Sequence, residues 1–409
     1  MSLSPRQVRH ALLARQEIAL LDLRSEHDFA QGHPLFAAQL PVDRILIEAP
    51  QRLPRKGVRI AVYDDGEGLT GPGVAAFKTL GYGDVDVLEG GLRGWREAGY
   101  ELFRDVNSYS KAFGELVEHH RGTPSLSAED VHALIEEKAD IAILDARRYD
   151  EYATMSIPTG TSVPGAELVA RAAAVAPDPD TLVIVNCAGR TRSIIGAQSL
   201  VNAGVPNRVA ALRNGTIGWM LAGRQLEQGQ ARRAPVAEGE ALGEARARAR
   251  RVAYRAGVKR LDPAALAALE ADATRTLYRF DVRQPEAFQK GHVAGFGNVP
   301  GGQLVQETDH SAPVRGARII LADPLGLRAD MTASWLAQMG WETYVLGDGF
   351  DYVERSQPAT PPPRGPQGRY RRPYEGTDNR EEAMRAYLEW EYGLVAQLER
   401  DGTHGFYVI

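Results

Sequence analysis

The stretch that decides the fold reads VIVNCAGRTRSIIGAQSLVNAG and occupies residues 183–204. It begins with a short apolar run rich in Val and Ile, which is typical of a buried β-strand. A loop that contains a glycine follows, and the next residues show the spacing of a helix that ends at Gly204. The stretch therefore predicts a strand, a loop and a helix in succession, with Cys187 at the carboxyl end of the strand.

Outward from this stretch, the same pattern occurs three times along the chain. Each copy contains a strand that carries Asp-x-Arg at its end, and a second strand ends 42 residues after that Asp. The first strands are ALLDLR with Asp22, AILDAR with Asp145 and YRFDVR with Asp281, and the second strands are IAVYD with Asp64, VIVNC with Cys187 and IILAD with Asp323. Three copies with one spacing are hard to obtain by chance. We therefore predict three homologous α/β units, each with a parallel sheet flanked by helices.

The segments between the units differ from them in composition. Boundaries near residues 112, 235 and 356 give units at 1–112, 113–235 and 261–356. Residues 236–260 are predicted to form a basic helical linker, and 357–409 a Pro-rich extended linker with a helical tail. One amphipathic helix is expected from about residue 378 to about residue 400. Its buried stripe, which is typical of a docked tail, comprises Met384, Tyr387, Leu388, Glu391 or Tyr392, and Val395.

The composition excludes several classes of protein. The chain has 409 residues, of which 44% are hydrophobic and 25% charged, and its formal net charge is −5. We expect a globular protein without the overall positive field that favours nucleic acid. No apolar run suits a membrane span and no signal-peptide core is present, so a cytoplasmic location is expected. The single cysteine, Cys187, excludes an intramolecular disulfide and a multi-cysteine metal site.

Cys187 is the candidate nucleophile. A cysteine between a parallel strand and a helix lies where functional groups concentrate in open α/β sheets. Backbone N–H groups of residues 188–193 are expected to surround the sulfur, and the helix N-terminus and two arginines add positive potential. These effects favour the thiolate, a nucleophile for an anionic substrate. The predicted substrate-binding residues are Ala188, Gly189, Arg190, Thr191, Arg192 and Ser193, of which Ser193 is also expected to cap the helix or donate to the sulfur.

Comparison of the three repeats distinguishes residues with a structural role from candidate catalytic residues. Asp145 and Arg147 recur in all three units, so we interpret them as a structural ion pair. Only the middle unit has the cysteine, because Asp64 and Asp323 occupy its place in the other two. Neither carboxylate can carry a sulfur atom. We therefore predict that the first and third units are scaffolding.

These residues resemble the rhodanese, or sulfurtransferase, superfamily, and in particular its multi-domain bacterial members with one active unit. The resemblance covers residues 1 to about 355 and rests on the Asp-x-Arg strand, the loop 187–192 and segments such as KGHVAGFGNVPGG at 290–302. It implies a five-stranded parallel sheet with helices on both faces in each unit. It also implies the activity of a thiosulfate sulfurtransferase, in which Cys187 takes the sulfane sulfur of thiosulfate, releases sulfite and passes a persulfide sulfur to cyanide or a thiol. No metal or organic cofactor is expected.

The same resemblance carries two further expectations. In two-domain relatives the inactive domain helps to wall the active site, so the first unit or the basic segment 244–260 is expected to do so here. The middle unit also differs from the other two in the segment that is expected to lie at the entrance to the active site. This segment is Met155-Ser156 in the middle unit, whereas the other units have Gly32-His33 and Gly291-His292. We expect this difference to bear on substrate choice.

Two other functions stay open at this point. The rhodanese fold is similar to that of dual-specificity phosphatases, so a cysteine-dependent phosphatase or arsenate reductase is one alternative. Those loops follow Cys-x5-Arg, whereas Arg192 follows Cys187 in a shorter Cys-x4-Arg pattern that disfavours this reading. The other alternative is a persulfide relay that passes sulfur between protein partners. The expected partners are thiosulfate and a thiol or cyanide acceptor, without nucleic acid or membrane, and a homodimer is compatible with the sequence.

Overall fold

The secondary structure repeats three times along the chain, as predicted. The computed structural model describes residues 2–356, 362, 364, 365 and 367–409. The first unit contains the strands β1 (Ser2–Leu3), β2 (Ile18–Asp22), β3 (Ala38–Gln39), β4 (Ile60–Tyr63) and β5 (Val85–Leu88) and the helices α1 (Pro5–Leu13), α2 (Glu26–Gln31), α3 (Ile45–Arg52), α4 (Thr70–Thr79) and α5 (Gly91–Glu97). Helix α6 (Ser108–Arg121) leads to the second unit, with the strands β6 (Ser125–Leu126), β7 (Ile141–Asp145), β8 (Thr161–Ser162), β9 (Leu182–Asn186) and β10 (Val209–Leu212) and the helices α7 (Ala128–Glu136), α8 (Tyr149–Thr154), α9 (Leu168–Val175), α10 (Thr191–Ala203) and α11 (Gly215–Leu221).

The remaining elements follow the same plan. Helix α12 (Gly239–Arg255) leads to the third unit, with the strands β11 (Lys259–Leu261), β12 (Leu277–Asp281), β13 (Gly297–Asn298), β14 (Val314–Arg315), β15 (Arg318–Ala322) and β16 (Glu342–Leu346) and the helices α13 (Pro263–Ala271), α14 (Pro285–Lys290), α15 (Gly301–Gln306), α16 (Thr308–Ser311) and α17 (Leu327–Gln338). The tail contains α18 (Arg380–Tyr392) and α19 (Leu394–Asp401). Among the described residues, no helix is long and apolar enough to cross a membrane.

Each unit contains a parallel five-stranded sheet with one common strand order. The order is β1-β5-β4-β2-β3 in the first unit, β6-β10-β9-β7-β8 in the second and β11-β16-β15-β12-β13 in the third. In the second unit, Leu144 and Val185 pack on one face with α9 and α10, whereas Ile143 and Ile184 pack on the other with α7 and α11. Strand β14 of the third unit pairs antiparallel with β2 and so forms the sixth strand of the first sheet. The predicted α/β fold of three units is confirmed.

The Asp-x-Arg pairs stabilise the ends of the strands β2, β7 and β12. The Arg147 guanidinium donates to the two Asp145 oxygens at 2.9 and 2.7 Å and to the Met155 carbonyl at 2.6 Å. The same contacts recur in the units without cysteine, as Arg24 with Asp22 and Gly32 and as Arg283 with Asp281 and Gly291. The predicted ion pair between Asp145 and Arg147 is therefore confirmed.

Helix α6 is the element on which the three units meet. Its residues 108–117 are buried. Tyr109 donates to the Met339 carbonyl of the third unit at 2.7 Å, and Phe113 packs edge-on against Trp335 with ring centroids 6.0 Å apart. The predicted boundary between residues 112 and 113 falls inside this helix, so a helix rather than a loop joins the first two units. Residues 259–260, which were assigned to the basic linker, belong to strand β11 of the third sheet.

The tail is docked as predicted, but it contains two helices rather than one. Helix α18 ends at Tyr392 and α19 begins at Leu394, because Gly393 between them has low helix propensity. Met384 and Tyr387 of α18 pack with Ile217 of α11 in one apolar cluster. The extended conformation predicted for the Pro-rich linker falls partly on 357–361, 363 and 366, which lie outside the described residues.

Candidate active site

Cys187 lies directly after β9, and α10 begins at Thr191. Its side chain is 2% exposed, and its sulfur is 3.5 Å from the Ser193 hydroxyl. The Cys187 carbonyl accepts a hydrogen bond from the N–H group of Thr216 in α11 at 2.9 Å. Gly215, at φ +53°, approaches so closely that a Cβ there would lie 2.2 Å from the same carbonyl oxygen. The loop 187–192, called the cysteine loop below, is therefore anchored by the start of α11.

The guanidinium of Arg190 points towards α6. It donates to both oxygens of Glu115 at 2.7 and 2.8 Å, and it also contacts Glu118 and Asn214. The ring of Tyr392 covers the guanidinium, whose carbon lies 3.8 Å from the ring centroid. Burial opposes the charge, but the carboxylates raise the pKa of Arg190 above its usual value. Arg190 is therefore charged and fully paired.

The guanidinium of Arg192 is paired in the same way with α8. It donates to the two oxygens of Glu151 at 2.7 and 2.9 Å. Burial acts to raise the pKa of Glu151, but the hydrogen bonds and charge of Arg192 lower it to about 2. Both arginines of the cysteine loop are thus paired with carboxylates that are distant in sequence, and the positive potential that they add at the sulfur stays a prediction.

Ser193 lies beside the sulfur rather than at the cap of the helix. The helix cap is Arg190, and Ser193 is the third residue of α10. Its hydroxyl donates to the Arg190 carbonyl at 2.8 Å and accepts from the Cys187 sulfur. The structure therefore corrects the capping role, and donation by this hydroxyl to the sulfur stays a prediction.

The remaining loop residues are small or packed against other elements. A Cβ on Gly114 of α6 would lie 2.8 Å from the Thr191 methyl carbon, so these two elements are in close contact. Gly189 lies under the carboxyl group of Glu391 from the tail. The substrate-binding roles of Ala188, Gly189, Arg190, Thr191, Arg192 and Ser193 stay predictions.

The aspartates in the other two units show where the loop amides point. The Asp64 carboxylate accepts hydrogen bonds from the N–H groups of Gly66 and Leu69 at 3.1 and 2.6 Å. The third unit repeats this arrangement at 3.3 and 2.8 Å, with Asp323 as the acceptor and Leu325 and Arg328 as the donors. In both loops the donors lie two and five residues after the aspartate. Backbone amides of this loop therefore converge on the side-chain oxygens at the cysteine position.

The segment expected at the entrance is buried in the core. Ser156 is fully buried and forms an isolated bridge with Glu227. The equivalent bridges of the other units are His33 with Phe103 and His292 with Glu354. The segment therefore forms an equivalent bridge in all three units, and its effect on substrate choice stays a prediction.

Elements from outside the second unit also pack against the cysteine loop. They include α6, through Glu115, and α18, through Glu391 and Tyr392. The basic helix α12 does not lie there, because Arg248 and Arg255 bond to carbonyls at the opposite end of α10, namely those of Gly204 and Asn202. The expectation that segment 244–260 walls the site is wrong. The sequence feature that could have pointed to Glu391 as part of the site is its position as an acidic residue within the apolar stripe of the tail.

The model of the Rhodanese-like domain matches residues 4–98, 127–222 and 263–356. This chain belongs to the rhodanese family. The three matched regions of this rhodanese cover the three sheets and their helices except for the first strand of each sheet, namely β1, β6 and β11. Helix α6 and the tail, which wall the cysteine loop, lie between and after the matched regions.

One solved structure is similar to this rhodanese over its full length. It is the thiosulfate sulfurtransferase from Pseudomonas aeruginosa, with 48% identity over 100% of both chains and a TM-score of 0.96. The rhodanese-like domain of a protein from Anabaena sp. has 24% identity over 26% of this chain and 81% of its own, with a TM-score of 0.24. A rhodanese-related protein from Thermoplasma volcanium has 22% identity over 25% of this chain and 97% of its own, with a TM-score of 0.23. The search of curated proteins finds no match.

A cysteine placed in either of the other two loops is expected to stay inactive. Asp323 is 2% exposed, and the Arg328 guanidinium lies 3.5 Å from its carboxylate while Glu167 holds that guanidinium at 2.7 Å. The loop of the first unit carries further acidic side chains that repel an anion. We therefore expect Asp64→Cys and Asp323→Cys, each made in a Cys187→Ser background, to gain no sulfur from thiosulfate by intact mass. A variant that gains one sulfur atom would show that its loop is latent rather than closed.

Proposed function

We propose that this rhodanese is a thiosulfate sulfurtransferase. It moves the sulfane sulfur of thiosulfate through a persulfide on Cys187 to cyanide or a thiol, with release of sulfite. The observation that carries the proposal is the convergence of backbone amides, in the two aspartate loops, on the side chain that stands at the position of Cys187. The full-length similarity to the enzyme from Pseudomonas aeruginosa supports the same reaction.

The amides of the cysteine loop suit a sulfur anion. Gly189 and Arg192 lie two and five residues after Cys187, at the positions whose N–H groups hold the carboxylates of Asp64 and Asp323. In those two loops a carboxylate stands in for the anionic sulfur. The N-terminus of α10 adds positive potential. Backbone groups thus supply stabilisation of a sulfur anion in this loop.

The reaction consists of two displacements. First, the Cys187 thiolate attacks the outer sulfur of thiosulfate, the S–S bond of thiosulfate breaks, and its electron pair leaves with sulfite. The negative outer sulfur of the resulting persulfide is held by the loop amides. Cyanide or an acceptor thiolate then attacks this sulfur, the persulfide S–S bond breaks, and the Cys187 thiolate returns. Neither step needs an external oxidant or reductant.

The side chains of the loop have supporting roles in this mechanism. Because Arg190 is joined to Glu115 and Arg192 to Glu151, we assign both guanidinium groups to holding the loop amides in place. The Ser193 hydroxyl, 3.5 Å from the sulfur, turns from the Arg190 carbonyl to donate to the thiolate. The Cys187 sulfur is thereby solvated by the protein rather than by water.

Intact mass measurement with three donors tests the proposal. The full chain is incubated separately with thiosulfate, mercaptopyruvate and an aryl phosphate. We expect one added sulfur atom with thiosulfate, which cyanide or a thiol then removes. An added phosphoryl group or release of phosphate, without a persulfide from either sulfur donor, would select the phosphatase alternative. A persulfide that only a protein partner discharges would select the relay.

We also propose that the protein works in the cytoplasm. A single free cysteine that cycles between thiolate and persulfide needs a reducing compartment, in which unwanted disulfides are removed. Cell fractionation followed by immunodetection tests this location, and recovery of the protein outside the cytoplasm would contradict it.

A further inference from the structure

A carboxyl group from the tail lies against the cysteine loop. Glu391 of α18 is 2% exposed, and its Oε2 atom has no hydrogen-bond partner among the described residues. A Cβ built on Gly189 would lie 3.3 Å from this oxygen and 3.9 Å from Oε1. The lack of a side chain at the third loop position therefore makes room for this carboxyl group.

The positive and negative side chains around Glu391 are equal in number when Glu391 itself is left out. The cations of the cluster are Lys111 of α6, Arg190 of the loop and Arg372 of the linker, and their carboxylate partners are Asp105, Glu115 and Glu118. Three cations thus face three carboxylates before Glu391 is counted. The phenols of Tyr374 and Tyr387 also face this cluster, and burial raises the pKa of both. An ionised Glu391 would therefore be an unpaired buried charge, which is unfavourable.

The titration of Glu391 agrees with this charge balance. Burial raises the pKa of Glu391 to about 7, and Glu115 adds to the rise, although Lys111, Arg190 and Arg372 act in the opposite direction. The carboxyl group is therefore mostly neutral below that pH. It gains a negative charge beside the loop as the pH rises through it.

We propose that Glu391 is a specificity-determining residue, which lets anionic reagents approach Cys187 while its carboxyl group is neutral and disfavours them once it is ionised. The loop amides attract an anion, and a new negative charge against Gly189 opposes that attraction. A buried charge is screened less by salt than an exposed one, so the opposition persists at physiological ionic strength. The inference rests on Cys187 as the nucleophile of the proposed function, but it does not require thiosulfate to be the donor.

Iodoacetate and iodoacetamide isolate this effect in the full chain. Both alkylate the thiolate of Cys187, the only cysteine, and they differ by one negative charge. The ratio of their rates therefore cancels the thiolate fraction and reports the potential at the sulfur. We expect this ratio to fall about three- to tenfold between about pH 6 and about pH 8. In Glu391→Gln, which keeps the shape and neutrality of the protonated group, the ratio should stay at its low-pH value.

Glu389→Gln is the matched control, because it removes the same charge from an exposed position of the same helix. It should leave the fall in the ratio unchanged. If the ratio of the two alkylation rates does not change with pH in the wild-type chain, the inference is overturned without any variant. It is also overturned if the ratio falls in Glu391→Gln as much as it does in the wild-type chain. Alkylation needs neither thiosulfate nor turnover. If the pH effect is present while thiosulfate adds no sulfur, the proposed function fails and this inference stands.

Discussion

The Cys187→Ser variant is expected to lose thiosulfate-to-cyanide transfer, with kcat/KM lowered by at least about 10³-fold. A serine hydroxyl is not ionised near neutral pH and cannot carry a sulfane sulfur. The loop amides belong to the backbone and remain in place, so the loss reports the nucleophile rather than the fold. Steady-state kinetics with thiosulfate and cyanide measure the loss, and intact mass should show no added sulfur.

Ser193→Ala is the matched control for this variant. It removes a hydroxyl group 3.5 Å from the sulfur but keeps the nucleophile, so we expect at most about a tenfold loss of kcat/KM. Thermal unfolding should show that both variants are as stable as the wild-type chain to within a few degrees. Retained transfer in Cys187→Ser would contradict the role of Cys187 and, with it, the proposed function.

The Arg147→Ala variant is expected to lower the free energy of unfolding by about 3–5 kcal/mol. The Asp145–Arg147 pair is buried, with side chains 1% and 3% exposed. Truncation leaves the Asp145 carboxylate with hydrogen bonds from the side-chain amide of Asn186 and from the backbone N–H of residue 147. It also removes the bond to the Met155 carbonyl. Urea denaturation of the full chain, followed by circular dichroism, measures the change.

Arg148→Ala is the matched control, because it removes an arginine at the next position. Arg148 is 52% exposed and pairs with Asp150 at the surface, so we expect a change of less than about 1 kcal/mol. The equivalent variants Arg24→Ala and Arg283→Ala should destabilise their own units as strongly as Arg147→Ala destabilises the second. If Arg147→Ala unfolds like the wild-type chain but is inactive, the residue acts in catalysis and our structural interpretation is wrong.

Much of the site follows from patterns that are local in sequence. The Asp145–Arg147 pair joins residues two positions apart, and its repetition in the units without cysteine identifies it as structural. The place of Cys187 at the end of β9 follows from the alternation of strand and helix patterns. The tail was predicted to dock because the apolar spacing of Met384 and Leu388 shows one buried face. Each of these predictions depends on neighbouring residues alone.

The electrostatics of the loop could not be predicted in this way. Arg190 and Glu115 are 75 positions apart, and Arg192 and Glu151 are 41 positions apart. Many carboxylates in the chain could pair with either arginine, and only the packing of α6 and α8 against the loop selects these two. The break of the tail at Gly393 was also missed, because a single glycine within a strong apolar pattern has a small effect on propensity.

The sequence alone was enough to find three α/β units, a single cysteine and an aspartate at the equivalent place in the other two units, because periodicity and repetition are properties of short segments. The tertiary structure alone pairs Arg190 with Glu115 and Arg192 with Glu151 and packs α6 and the tail against the cysteine loop. It also brought Glu391 against Gly189. Contacts of this kind join elements far apart in the chain, so they depend on how the units pack around α6, which no local pattern encodes.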